Sequence, residues 1–220
     1  MKKNIIAVTA DLKRCSVAIR YGGEIFERNE NADAATHLVS IADDLIREKK
    51  VAIENLSEVM TASGPGSFTG IRVAHSFVKG LSMALKIPAK STSYFDIILN
   101  MAQQQSDGAT DFQNSLILIK NEKGLFYYCL GTKENSNYGV TNQDDLVHLL
   151  KDFPPQSLHL IGDEDSLGLA TSLAPVISEI SEKISSRHII QNFKCASNLI
   201  NLCESLHFSN SVKPLYINVR

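Results

Sequence analysis

"ASGPGSFTGIRVAHSFVKG", residues 62–80, sets three glycines and a proline just ahead of an apolar helical pattern. A glycine-rich turn feeding a helix is a common phosphate cradle, because the helix start presents free N–H groups and a partial positive charge. The established versions of that cradle do not match. A Walker loop requires GxxxxGK[ST], and no lysine stands where it would reach the phosphates; a dinucleotide fingerprint requires GxGxxG, whereas glycines at 64, 66 and 70 run one residue too long. A nucleophile elbow also fails, since Thr69 occupies the place of its second glycine. What remains is a tight strand-to-helix turn. Gly64 and Gly66 permit an unusual backbone path, Pro65 stiffens it, Ser67 can cap the helix through its hydroxyl, and Gly70 and Arg72 complete the structural loop.

The helix predicted over 68–85 carries two apolar stripes. Phe68, Ile71, Ala74, Val78, Leu81 and Leu85 lie on one side, and Val73, Phe77, Gly80 and Ala84 on another. A helix resting on its own sheet needs only one such stripe. Part of the second is expected to pack on the helix predicted at 34–49, and the rest to remain as exposed apolar surface, which in soluble proteins marks an interface. Val73, Phe77, Gly80 and Ala84, with His37 and Ile41 from the preceding helix, form the expected partner surface, with Gly80 allowing another helix to come close.

Outward from the loop, residues 4–10, 15–21 and 24–28 read as a three-stranded meander, with Gly22 and Gly23 placed for a two-residue hairpin turn. Asp33 can cap the helix at 34–49, whose Leu38, Ile41, Ala42, Leu45 and Ile46 keep helical spacing. A strand at 58–62 leads into the loop. Three strands, helix, strand, helix is the order of one ribonuclease-H-like lobe. The polar text of 103–114 marks a connection, so the first lobe is expected at 1–105 and a diverged second lobe at 106–220, with the last helix as a candidate to pack back on the first. In that second lobe, 115–131 reads as two strands about Gly124, 144–151 as a short helix, 158–162 as a buried strand, 165–174 as helical, and Ala196, Leu199, Ile200, Cys203 and Leu206 as one helical stripe. No internal repeat is visible in the residues. The expected fold class is α/β, actin/hsp70-like, with a mixed sheet and flanking helices in each lobe.

Composition excludes several functions. With 220 residues and 44% hydrophobic content the chain can bury a full core, and a net charge of −2 gives no global field to hold a polyanion. The four cysteines show no CxxC pair or zinc spacing, which suits reduced thiols and the cytoplasm, and no stretch approaches a membrane span. The six histidines are scattered without helical metal-pair spacing, so no metal site is expected. The acidic run at 162–166 reads as a helix start, where acids complement the dipole.

These residues resemble the TsaB family, also called YeaZ, of bacterial tRNA threonylcarbamoyladenosine biosynthesis. "GPGSFTGIRVAHSFVKGLSMALKIP" is similar to that family's GPGSFTG[LI]R and the helix after it; "CSVAI", Thr36-His37 and "STSYFDII" fall where the family has equivalents, and past Gly108 the likeness is weak. The resemblance implies a non-catalytic subunit that binds and activates TsaD, the threonylcarbamoyl transferase, and works with the ATPase TsaE. It implies no cofactor on this chain alone, ATP or ADP with Mg²⁺ only in the assembled complex, tRNA reached only through that complex, and a homodimer when TsaD is absent. The departures point the same way. Thr9-Ala10-Asp11 stands where the family opens with Asp-Thr-Ser, no histidine occurs in 91–97 where TsaD holds its metal, and Lys120-Asn121-Glu122 and Asn218 replace a family Asp-Ala-Arg and a terminal arginine. The competing expectation is an actin-like nucleotide-dependent enzyme, a kinase or ATPase, using Asp11 and the glycine loop on phosphates.

Overall fold

The computed structural model describes residues 2–11, 14–106, 111–121, 123–131, 137–150, 157–167, 181–205 and 208–217. Strands β1 (Ile5–Ala10), β2 (Cys15–Tyr21) and β3 (Glu24–Glu30) form an antiparallel meander. Its second turn rests on Gly22 and Gly23, whose φ angles of 60° and 94° suit residues without a Cβ. Helix α1 (Ala34–Glu48) starts at Asp33, whose carboxylate accepts the Thr36 N–H at 3.0 Å. Strand β4 (Glu58–Ala62), helix α2 (Phe68–Leu85) and strand β5 (Ala89–Thr92) complete the unit. The sheet order is β3-β2-β1-β4-β5, with β4 parallel to β1 and β5 parallel to β4.

Both faces of this sheet are covered, which is why every residue of β1 and β4 is buried. Ile6, Val8, Cys15, Val17 and Ile19 point to one side, into a core completed by Leu38, Ile41 and Leu45 of α1 and Ala74 and Val78 of α2. The opposite side receives α6 (Ala196–Asn201), whose first N–H, from Ala196, donates to Ser16 Oγ at 2.7 Å. Glu27 of β3 accepts the Ser197 N–H at 2.9 Å and the Ser197 hydroxyl at 2.8 Å, placing a carboxylate at the helix's positive end. Residues Lys194–Tyr216 therefore belong with Met1–Ile97 to the first compact unit. The sequence-based boundary at 105 had assigned them to the second lobe, apart from the helix.

The second unit is Ile98–Phe193 with Ile217–Arg220. Helix α3 (Tyr94–Gln105) leads into it, followed by β6 (Ser115–Lys120), β7 (Phe126–Leu130), β8 (Asn137–Thr141), α4 (Gln143–Leu149), β9 (Leu158–Gly162), α5 (Glu164–Leu167) and β10 (Ile184–Ile189). Its sheet runs β8-β7-β6-β9-β10, antiparallel through β6, β7 and β8 and parallel through β6, β9 and β10. Leu116, Leu118, Phe126, Leu146, Leu158 and Leu160 fill its core. Strand for strand this is the topology of the first sheet, so the chain holds one ribonuclease-H-like arrangement twice, the actin-like α/β fold. The absence of a visible repeat is corrected here: topology needs only the apolar pattern, and the residues themselves have diverged.

Strands β8 and β10 escaped the sequence reading because little of either is deeply buried. Their burial alternates or is shallow, and "ISSRHI" carries only every second residue inward. The helix expected over 165–174 ends at Leu167 among the described residues, and 168–174 lie outside them. The last stripe is also shorter than its spacing suggested: α6 stops at Asn201, Cys203 follows in a turn, and Leu206 lies outside the described residues.

Two histidines tie this fold to pH. His75 of α2 is 3% exposed with Nε2 facing the Ala62 carbonyl at 3.2 Å; burial lowers its pKa, the Lys79 charge adds to that, and the carbonyl only partly opposes it. Burial and then the neighbouring His159 lower that of His188. Folded, both rings resist a proton that the unfolded chain takes up below about pH 6.5, so stability falls as pH drops from there to the depressed values. The urea midpoint should decline over that window, and His75→Gln should flatten part of the decline; an identical slope in the variant would remove His75 from the account.

Candidate partner interface

Three backbone groups at the entry to the turn at 63–67 are held by hydrogen bonds. The Ser63 N–H donates to Thr92 O at 2.7 Å, the Ser63 carbonyl accepts from Leu215 N at 2.7 Å, and the Gly64 carbonyl accepts from Tyr94 N at 2.7 Å. Gly64 adopts φ 109°, and a Cβ there would lie 2.8 Å from Ile71 Cδ1. Ser67 caps α2 as its position implies, accepting the Gly70 N–H at 3.2 Å. Gly70 is required for a different reason: an added Cβ would meet the Ala10 carbonyl oxygen at 2.8 Å and the Asp11 carbonyl carbon at 3.0 Å. Both are backbone atoms, so neither can swing away, and the first turn of α2 rests directly on the end of β1.

That contact decides what the helix start faces. Asp11, the residue after β1, accepts the Ser67 N–H through Oδ1 at 3.3 Å and pairs through Oδ2 with Lys194 Nζ at 2.6 Å. The positive end of α2 is thus already met by a carboxylate of this chain, whose charge is in turn balanced by a lysine. A phosphate brought to the same place would approach a like charge, which weakens the phosphate-cradle use of Asp11 and the loop. Among the described residues no three His, Cys, Asp or Glu side chains come together as metal ligands. In the acidic run, Asp163 Oδ1 accepts the Ser166 N–H at 2.7 Å and so caps α5.

Arg72 does more than complete the loop. Its Nε donates to the Tyr216 hydroxyl at 2.9 Å and its guanidinium lies 3.8 Å from the Phe68 ring centre, with the two aromatic rings 5.2 Å apart. Together with Leu215 on Ser63, this fastens residues 215–216 along α2. Tyr216 was missed from the sequence because the partners stand 144 positions apart and neither belongs to a motif.

On the outer side of α2, Val73, Phe77 and Leu81 are half-buried against the core, while Gly80 and Ala84 are exposed. An added Cβ on Gly80 would find no heavy atom within 4 Å, so in the isolated chain nothing requires glycine there. From α1, His37 is exposed, its Nδ1 3.2 Å from the Asp33 carbonyl. Ile41 is only 3% exposed and sits in the core of its own unit, so it offers no surface; helical spacing alone did not separate it from its outward neighbours. The α1 residue that does stand out is Val39, 66% exposed, as is Met83 on α2 at 80%. Neither was singled out from the sequence. No described helix is long and apolar enough to cross a membrane.

The chain is similar to several known proteins. Residues 20–147 match the family model described as TsaD, tRNA N6-adenosine threonylcarbamoyltransferase. The tRNA threonylcarbamoyladenosine biosynthesis protein TsaB of Haemophilus influenzae is 30% identical over 185 residues, covering 81% of this chain and 76% of that one. Against TsaB of Buchnera aphidicola from Acyrthosiphon pisum the identity is 33% over 100 residues, and the match spans 45% of that relative's length, about half as for its two sister strains. In solved structures, YeaZ from Pseudomonas aeruginosa superposes with a TM-score of 0.63 at 18% identity, covering 98% of this chain and 100% of that one, which is a likeness of fold.

The glycines of the loop should separate on substitution. Gly70→Ala forces a Cβ into backbone and should cost about 1–3 kcal/mol, as overpacking does, whereas Gly66→Ala, whose Cβ meets nothing nearer than 3.8 Å, should cost far less. Urea denaturation of the two variants checks this, and equal losses would show that the contact of α2 with β1 is not the tight one.

Proposed function

Because this chain belongs to the TsaB (YeaZ) family, and with it to the machinery of tRNA threonylcarbamoyladenosine biosynthesis, we propose that it is a non-catalytic subunit that binds a TsaD-type transferase and stabilises its competent form. The observation carrying this reading is the outer face of α2. Val73 and Phe77 are half-buried, Gly80 and Ala84 are open to solvent, and Val39 of α1 adds a large exposed apolar side chain. Such a face serves a helix packed across it, with Gly80 letting the two backbones approach. The equivalent helices of the partner would complete a bundle with α1 and α2.

The pairing of Asp11 with Lys194 supports a non-catalytic role over that of an actin-like kinase or ATPase, since the charge that would handle a nucleotide's phosphates is engaged within the chain. Under this reading ATP or ADP with Mg²⁺ enters only with the assembled complex, where a TsaE-like ATPase joins, and tRNA is engaged by the complex rather than by this chain alone. A homodimer through the same helices would form when the partner is absent, as mass action allows. The proposed compartment is the cytoplasm, where the four free cysteines would stay reduced.

Two substitutions test the surface. Light scattering with gel filtration on the chain mixed with the TsaD-type subunit of the same organism should show a one-to-one complex that Phe77→Glu abolishes; a complex that survives it would place the interface elsewhere. Gly80→Ala should raise the stability of the isolated chain by about 0.5–1 kcal/mol, since glycine inside a helix is costly. The same change should weaken the complex. A variant more stable alone and equally tight in the complex would show that no helix approaches at Gly80.

A further inference from the structure

One face of α2 takes no part in the proposed pairing with a protein. Phe68, Arg72, Lys79 and Met83 recur at helical spacing about a third of a turn around the helix from Val73, Phe77, Gly80 and Ala84. Phe68 is 54% exposed and the Tyr216 ring beside it 44%. Arg72 stacks on the first and hydrogen-bonds the second, so two aromatic rings and a guanidinium are held together at the surface.

Along α2 itself the charge has one sign. Between Glu58 and Asp96 the chain has no acidic residue, yet it carries Arg72, Lys79, Lys86 and Lys90, in a protein whose net charge is −2. Lys90 is paired with Glu58 at 3.2 Å, and Arg72, Lys79 and Lys86 are exposed. The exposed side of α1 is mixed, bearing Asp43, Asp44 and Glu48 with Arg47 paired to Asp43. A local cationic strip next to exposed, pre-ordered aromatic rings suits a ligand that is both polyanionic and rich in flat apolar rings. Single-stranded RNA is that ligand: bases stack on aromatic side chains and arginine planes while phosphates meet the cations. An acidic protein surface would use the cations but has no use for the rings.

Resting on the reading above that the chain works on tRNA within a complex, we propose that Phe68, Arg72 and Tyr216, with Lys79, form a contact for an unpaired segment of that RNA. Phe68 supplies stacking area, Arg72 a stacking plane and charge, and Tyr216 positions Arg72. Holding the guanidinium in place before binding removes part of the ordering cost that a free arginine would carry.

The test uses the heterodimer of this chain with its TsaD-type subunit and a fluorescently labelled, unmodified tRNA transcript, followed by anisotropy at several salt concentrations. Phe68→Leu, which keeps apolar bulk but removes the ring, should weaken RNA binding about tenfold, within the range for loss of one stacked base, and leave the salt slope unchanged. Lys79→Ala should reduce the slope of log K against log salt by about 0.7, the value for one phosphate on a single strand. Light scattering should show the heterodimer intact in both. RNA affinity and slope unchanged in an intact heterodimer would overturn the RNA contact and leave the family reading standing. So would a wild-type heterodimer that binds no tRNA, or variants that lose the protein partner instead. If the wild-type chains never pair, it is the partner reading that fails.

Discussion

The close approach of two backbones at Gly70 is the constraint on which the first lobe turns. With the first turn of α2 seated on the end of β1, Asp11 comes within reach of Ser67 and the axis of α2 is set across the sheet. The consequences run outward from there. Ile71, Ala74 and Val78 point into the core, the stripe of Val73 and Phe77 is raised beside α1, and the strip of Phe68 and Arg72 is turned toward residues 215–216. A methyl group at Gly70 would disturb all three directions, so the glycine loop has a structural role in fixing α2.

The fold was legible where periodicity and turn chemistry act locally. Asp33 and Ser67 as caps, Gly22 and Gly23 as a hairpin turn, and α2 itself follow from short-range preferences that tertiary structure did not override. The edge strand β3 was legible through the hairpin turn at Gly22 and Gly23, whereas β8 and β10 were not, because their solvated faces carry little of the apolar signal that marks β1 or β6. The candidate site was legible in part. A helical stripe told that Phe77 and Gly80 share a face, but the sorting of Ile41 inward and Val39 outward depends on how α1 rolls against the sheet, a matter of packing. Tyr216 and Lys194 could not be found at all, since their partners lie more than a hundred positions away and reach them only through the fold.

Having the same topology in both sheets also places the Asp11 arrangement in context. In an α/β unit of this kind the loops after the parallel strands are where ligands and catalytic groups gather. Here that location in the first unit is closed by the protein's own groups: a carboxylate for the anion, a lysine for its countercharge, a capping hydroxyl for the helix. These contacts hold the start of α2 in place. A surface helix that must present two outer faces gains from an immobile root.

Lys194–Tyr216 completes the first unit, while Ile98–Phe193 forms the second, so one compact unit is spliced into the chain of the other. On the ribosome the strands of the first sheet emerge early, but the side of it that α6 covers stays bare until Ala196–Asn201 have been made. The inserted unit, contiguous from 98 to 193, can collapse first by local contacts. Closure of the first then joins segments far apart in sequence, the slow kind of step. The finished N-terminal lobe, with the surface proposed for the partner, therefore waits on the synthesis of Lys194–Tyr216, and a chain not yet extended that far would have nothing mature to offer that partner.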